Sequence, residues 1–596
     1  NGAVTLGTLN IGDSTATFLG FTLQNGTGGS LTFDVASGSA AINKTGSGTT
    51  TTDTISATIS LKSDLNVTNS TGSRLTINGA IGEASSGKRI TIASGITDLS
   101  NTANSFTGGV NITGGSQLYA TSLANAGSNS ALGNSGTIAL GSSTTTGLLG
   151  FSSLSANSTT DRTVDLAGTT GGGSILSSAA ANVVKFTGNF TATGAGSKTL
   201  TLRGTNTGNN EISGAIVDNS AINKTSISKS ETGTWILSGS SSYTGGVTVG
   251  AGTLSFTSVA NTGINSALGA GGTIKIGTTT TTGTLNYTGT GTTSSNRTVD
   301  LAGTTGGATI NANGSGTLKF TSNFTASGVG SKLLTLGGNN TGANEISGAI
   351  VNNSVGNTTI LTKADGGTWI LSGNNTYTGN TTVNAGTLLI GNTVGSSASL
   401  ASGSTVSVGA SGTLGGYGTI GGATTITDGK LAPGASAGSL KFGGTLSLVG
   451  SSGAPQTQIE LGGTSFTLDS TEQYDRIKLT GATPVLTLAG TLDVSLINSF
   501  SLADNQAFGI FQLGSGATRS GTFSGLASDD SLVGTYGGKN LYITYSADFG
   551  DSGPVVLTGG NDIALYTVQT IPEPSTWALV AFSLTTAMVL RCRRNS

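Results

Sequence analysis

The groups in this chain that could do chemistry are carboxylates, lysines, arginines and aromatic rings. There is no histidine, and the one cysteine is Cys592. That removes an imidazole base, a Cys/His metal site and, in the body of the chain, a thiolate nucleophile. Asp/Glu pairs beside Lys or Arg would suit polysaccharide cleavage. Most charges recur in register, however: Arg162 with Arg297, Asp165 with Asp300, Lys185 with Lys319, Lys198 with Lys332, and Glu211 with Glu345. An active site normally occurs once, so these repeated charges are expected to be structural or solvated. The unrepeated carboxylates include Asp469, Glu472, Asp475, Asp529, Asp530, Asp548 and Asp551. Asp475 is expected to serve packing or a turn, and Asp548 with Asp551 is a candidate for weak calcium binding, although EF-hand spacing is missing. Trp235 with Trp369, and Tyr243 with Tyr377, also recur. Core packing in each copy is the expected role of these rings, and a line of sugar-stacking aromatics is the alternative.

Two glycine-rich stretches imitate nucleotide loops. "GEASSGKR", 82–89, has Arg89 where a magnesium-holding Ser or Thr is required. "GYGTIG", 416–421, matches a dinucleotide fingerprint, but glycine is 99 of 596 residues and no helix opens there. Neither carries a nucleotide site. Threonine runs such as "TTTTTG", 278–283, bring a water-ordering surface to mind, but the runs show no period along the sequence.

The elements that would position these groups are β. Charged residues are only 9% of the chain, apolar ones 35%, and the formal net charge is −2. Disorder goes with high net charge and few apolar residues, so the chain is expected to fold. A basic stripe for nucleic acid is absent. Repeats decide the architecture. "RTVDLAGTTGG" occurs at 162–172 and 297–307, and "EISGAIV" at 211–217 and 345–351. "GTWILSGSSSYTGGVTVGAGTLSF", 233–256, aligns without a gap to "GTWILSGNNTYTGNTTVNAGTLLI", 367–390, and a decayed copy lies at 99–118 with Phe106 in the tyrosine's place. From Arg162 to Arg297 and from Trp235 to Trp369, the close copies keep the same offset to within a single position. In 381–390 the residues Val383, Ala385, Thr387 and Leu389 are assigned to one face, with Asn384 and Gly386 opposite near a turn. Short alternating segments that cannot bury a face alone must stack. The expected fold is all-β, a right-handed parallel β-helix (β-solenoid) of about 22 residues per rung and six rungs per repeat, ending in a short C-terminal transmembrane α-helix. A row of β-sandwiches is the alternative.

The repeat "GTWILSGNNTYTGNTTVNAGTLLIGN" resembles the autotransporter-associated β-strand repeat of exported bacterial passengers. "GTLGGYGTIGGATTITDGKLAPGASAGSLKFGGTLSL", 412–448, and "YDRIKLTGATPVLTLAGTLDVSL", 474–496, resemble segments that follow such repeats. The resemblance spans roughly residues 95–545 and implies a β-helical passenger at the cell surface, with no shared chemistry. The translocator barrel of a true autotransporter is not expected in the roughly 50 residues after Tyr545.

Pro572-Glu573-Pro574, the uncharged run 576–590, and Arg591, Arg593 and Arg594 resemble a PEP-CTERM sorting signal. As a helix the run would be about 22 Å long, short of the roughly 30 Å hydrocarbon core. The basic cluster would stay cytoplasmic and place the body outside. The resemblance implies recognition by exosortase, export, transient membrane anchoring through the C-terminal helix, and an outer-surface or matrix location in a Gram-negative bacterium.

The expected organisation is a β-rich solenoid region over 1–94, a degenerate first repeat over 95–232, a second over 233–366, and a partial third with Gly-rich turns over 367–450. A C-terminal β region follows at 451–545, a linker at 546–570 and the sorting signal at 571–594. The expected role is structural or adhesive and non-catalytic, with exosortase and surface glycans such as exopolysaccharide as partners, no nucleic acid and no cofactor. A carbohydrate-binding protein using the repeated Trp and Tyr positions, and a polysaccharide lyase or hydrolase, are the alternatives.

Overall fold

The computed structural model describes residues 2–13, 20–46, 52–70 and 73–569, apart from 114, 143, 279, 305, 451–453 and 515. Among these residues the regular elements are all β-strands, and no helix is long and apolar enough to cross a membrane. The expected helix 576–590 lies outside the described residues. The chain divides into two compact units. The first comprises Asn1–Asn392, Ser397–Leu414 and Gly418–Ala423; the second comprises Thr393–Ser396, Gly415–Tyr417 and Thr424–Ser596.

The first unit consists of long parallel sheets, the arrangement of a β-solenoid. One sheet stacks twelve strands, from Thr22–Leu23 through Gln117–Ala120, Gly147–Phe151, Gly173–Ser177 and Lys198–Arg203 to Val299–Leu301. Each strand pairs in parallel with one a full turn away, which hydrogen-bonds its backbone, while alternate side chains point into the coil. The inward residues form apolar columns. Trp235 is in register with Leu254, then Leu285, Ile310 and Leu336, and all five are buried. Burying one such aliphatic side chain contributes about 1.5–3 kcal/mol.

Turn lengths are uneven. The residues in register from Thr234 are Thr253, Thr284, Thr309, Thr335, Thr362 and Thr382. The turns from Thr234 to Thr253 and from Thr362 to Thr382 are short, and the turn from Thr253 to Thr284 is the longest of the series. The other turns exceed the roughly 22 residues expected of a rung, because the loops between short strands are themselves long. Five turns carry Trp235 to Lys363, yet the repeat brings its next tryptophan only at Trp369, on the following strand Thr368–Leu371. One repeat is thus five turns plus one strand, and the motif moves to the neighbouring side with each copy.

The strand Thr381–Ile390 spans that corner. Thr381–Val383 pairs with Leu361–Lys363, and Thr387–Ile390 pairs with Thr368–Leu371. The inward residues are Thr381 and Val383, then Leu388 and Ile390. The single face assigned to Val383, Ala385, Thr387 and Leu389 is therefore corrected: the alternation changes phase at the corner. Gly386 makes the turn with φ +67°, and a Cβ there would lie 2.4 Å from the Asp365 carbonyl oxygen.

In the second unit, parallel strands such as Leu446–Val449, Val485–Leu488 and Thr518–Gly521 form one stack. Ser439–Phe442, Arg476–Leu479 and Ala507–Leu513 form another, which Asp562–Thr567, Lys539–Ala547 and Ser531–Tyr536 extend in antiparallel fashion. The linker expected over 546–570 is corrected here. Asp562–Thr567 is a wholly buried strand, and Ala547, Phe549 and Ala564 share a core cluster. Arg476 donates through Nε to Gly509 O and through Nη1 to Gly550 O, each at 2.9 Å, and lies 3.5 Å from the Phe466 ring centroid. The glycines, serines and aspartates of 546–562 mimic a linker because their backbone turns sharply while few residues carry the packing.

Candidate functional site

The residues expected to act divide sharply by location. Pro572, Glu573, Pro574, Arg591, Arg593 and Arg594 lie outside the described residues. Trp235 and Trp369 are 1% and 0% exposed. Each indole donates to a carbonyl, Trp235 Nε1 to Arg203 O at 3.0 Å and Trp369 Nε1 to Gly337 O at 2.9 Å. Neither ring offers a face to a sugar, and the two stand on different strand columns, so they form no line. Tyr243 and Tyr377 are also fully buried. The Tyr377 hydroxyl bonds Thr381 Oγ1 at 2.7 Å, whereas that of Tyr243 has no partner, because Val247 stands where the later copy has Thr381.

The repeated charges hold turns together. Arg162 donates to Gly136 O and Leu132 O at 2.8 and 2.9 Å, and Arg297 donates to Gly272 O and Leu268 O at 2.9 and 2.6 Å. Asp165 accepts from Thr191 and Thr193, and Asp300 from Thr325 and Ser327. Lys185 pairs with Glu211 and Lys319 with Glu345, both at 2.7 Å. Lys198 caps Thr169 O of the adjacent turn and Ala195 O of its own, and Lys332 likewise caps Gly303 O and Gly328 O. A further pair, Lys229 and Lys363, escapes the sequence reading although it too recurs in register. Lys229 Nζ donates to the Ser230, Glu231 and Ala251 carbonyls at 2.8, 2.6 and 3.1 Å, and Lys363 Nζ to Asp365 O and Ala385 O at 2.7 and 2.9 Å. Burial lowers both ammoniums to about 8.

Three of the single-copy carboxylates, Asp475, Glu472 and Asp529, accept from backbone amides. Asp475 accepts from Gly438 N and Glu460 N at 2.9 and 2.8 Å, and its burial raises its pKa well above the ordinary carboxylate range. Glu472 accepts from Ser439 N and Oγ at 2.8 and 2.6 Å. Asp529 accepts from Tyr545 N and Ser546 Oγ. Asp551 pairs with Lys478, and Asp548 exchanges backbone hydrogen bonds with Val556. Among the described residues no group of His, Cys, Asp and Glu side chains could hold a metal ion.

Two outward features emerge only in three dimensions. The first is the register row of seven threonines from Thr234 to Thr382, each half-buried beside inward neighbours. Strand positions that share one side of a sheet invite Thr, whose branched side chain pairs across strands. The second is a groove of about 490 Å³ on the twelve-stranded sheet. Its lining includes Gln117, Leu148, Ser174 and Thr201, which are successive register partners. Arg203 and Glu231 line its C-terminal side, with Arg203 Nε and Nη2 2.9 and 2.7 Å from Glu231 Oε1. Glu231 Oε2 accepts from Gly204 N at 2.7 Å. Tyr119 donates its hydroxyl to Gln117 Oε1 at 3.2 Å. Ser174 is 4% exposed, and its Oγ is buried without a hydrogen-bond partner among the described residues.

The chain is all-β, with long parallel sheets consistent with a β-solenoid. A family model described as the passenger-associated-transport-repeat matches residues 94–116, 227–256 and 361–390. The matches fall on the decayed copy and the two close copies. The chain is also similar to the adhesin BmaC autotransporter of Brucella suis biovar 1 (strain 1330), with 31% identity over 289 residues. That alignment covers 48% of this chain and 8% of the adhesin, so the chain corresponds to a small part of that protein's length.

Proposed function

We propose that this protein is a non-catalytic, exported β-solenoid that acts structurally or adhesively at the surface or in the matrix of a Gram-negative cell. The observation that carries this reading is the three transport-repeat matches, all within the parallel-stranded unit. The similarity to part of an autotransporter adhesin supports the same direction. A right-handed coil is the expected winding, as parallel crossovers favour it. The tail from Pro572 to Arg594 serves as a PEP-CTERM signal: the prolines keep the segment extended and open to exosortase, and the run 576–590 holds it at the membrane until release.

Mass spectrometry of the C-terminus of native surface protein tests the sorting step. Loss of the residues beyond Pro574 is expected, and Cys592 retained in every molecule would overturn it. A catalytic role is disfavoured because the carboxylates of Asp475, Glu472, Asp529 and Asp551 are bound to backbone amides, hydroxyls or a lysine. Glycan binding by Trp235, Tyr243, Trp369 and Tyr377 is disfavoured by their burial. Exopolysaccharide remains the proposed partner, through surface other than those rings.

A further inference from the structure

We propose that the groove lined by Gln117, Leu148, Ser174, Thr201, Arg203 and Glu231 is a single binding site for a neutral saccharide. It rests on the proposed surface role only for where the ligand is met; the site itself stands on its geometry.

The volume, about 490 Å³, is within the roughly 300–1,000 Å³ of small-molecule sites. The lining specifies the chemistry. Arg203 and Glu231 cancel each other's charge, so neither an anion nor a cation gains by entering. What remains are hydroxyls on Ser174 and Thr201 and the Gln117 amide. Hydroxyls and amides both donate and accept, which matches a ring carrying several hydroxyl groups. Gln117 is oriented for this task, because Tyr119 occupies its Oε1 and leaves the Nε2 donors available. Leu148 supplies an apolar patch against which the C–H face of a sugar can lie. The Ser174 hydroxyl marks the floor: it is buried and unpaired, and a ligand hydroxyl would satisfy it.

The residues that line the groove are not repeated, although their frame is. The matching positions in the next copy are Thr253, Thr284, Thr309, Thr335, Gly337 and Asp365. That row has no amide, no guanidinium and no leucine. The inward residues between them are nearly unchanged, with Leu149, Ile175 and Leu202 matched by Leu285, Ile310 and Leu336. Along this strip the outward row has changed while the inward residues directly beneath it are kept, unlike the structural charges described above, which recur.

The test uses the full chain. An array of neutral and acidic oligosaccharides, together with polysaccharide from the producing cells, is screened and the best ligand titrated by calorimetry. Saturable binding of a neutral saccharide at one site per chain is expected. The triple variant Gln117→Thr, Arg203→Gly, Glu231→Asp installs residues the fold already accepts in the next copy. It should lower affinity by about tenfold or more, while Thr309→Ala should leave it within about twofold. Binding by the array ligands but not by the cell's own polysaccharide indicates a foreign glycan, and the reverse indicates the matrix; both support the site. No neutral ligand, undiminished binding by the folded triple variant, or binding that follows acidity and vanishes with salt would overturn it. Cellular location is measured separately. An unexported chain that binds would sink the surface role alone, and a surface protein that binds nothing would sink the site alone.

Discussion

The row Gln117, Leu148, Ser174 and Thr201 and the row Thr253, Thr284, Thr309 and Thr335 occupy matching places in two copies of one repeat, and they have diverged completely except at the last position. Beneath them the columns Leu118, Leu149, Ile175, Leu202 and Leu254, Leu285, Ile310, Leu336 are buried and close in type. The difference teaches where a solenoid is constrained. Each inward residue is packed by the turns on either side, so a change of volume is felt at once. An outward residue meets solvent and two register neighbours, and it is free to take on a ligand.

The comparison is tested first at its core. Trp235→Ala and Trp369→Ala should each cost about 3–5 kcal/mol, and by similar amounts, because both indoles are buried and bonded to a carbonyl one turn away. Equilibrium denaturation would show whether the two copies are equivalent; a negligible loss at either site would break the equivalence.

The corner lysines come next. Lys229→Met strands carbonyls that the ammonium now bonds, with an expected loss of about 1–3 kcal/mol, and Lys363→Met should behave alike. Their titration adds a pH signature. Burial holds both near 8, against an ordinary 10.5. Between those values the unfolded chain binds more protons than the folded one, so their contribution to stability rises with pH across that window. Buried Tyr243 and Tyr377, whose values are raised above 10.0 by burial, oppose the rise only near and above that pH. Denaturation of wild type and the double variant at about pH 8 and about pH 9.5, both below the ordinary tyrosine value, checks this; a slope unchanged in the variant would refute it.

The tyrosines sharpen a finer difference. Tyr377→Phe removes a buried hydrogen bond and should cost about 1 kcal/mol. Tyr243→Phe removes an unpartnered hydroxyl and should be neutral or stabilising, as the Phe106 and Val110 of the earliest copy suggest. Val247→Thr should give Tyr243 the partner that Thr381 gives Tyr377. Equal losses from the two Tyr→Phe changes would contradict this. Smallest of all, Thr284→Ala and Thr335→Ala should shift stability by no more than about 0.5 kcal/mol; a larger loss would mean that the threonine row is a structural ladder.

Much of the body was legible. Repetition, glycine-rich turns and alternating strands pointed to parallel β-structure, and the recurrence of Arg162/Arg297 and Asp165/Asp300 pointed to their structural use. Two things were hidden by geometry. The threonine row has no sequence period, because the register step from Thr253 to Thr284 is far longer than the step from Thr234 to Thr253. The groove was hidden for the same reason, since Gln117 and Thr201 lie far apart in the chain and become neighbours only through two intervening strands. The one available clue was that Arg203 has no counterpart at Gly337. The segment 546–562 misled because its composition is that of a linker, while Phe549 and the backbone carbonyl of Gly550 are held by distant partners, including Arg476.

The sequence by itself determined that the chain is β and that it repeats, since alternation and glycine placement act locally. Only the tertiary structure decided that a repeat is five turns plus one strand. That extra strand separates Trp235 from Trp369 and places copies of one motif on different sides. It is the sum of many loop lengths, none of which is set by local chemistry, so it follows from how each turn docks on the turn before it.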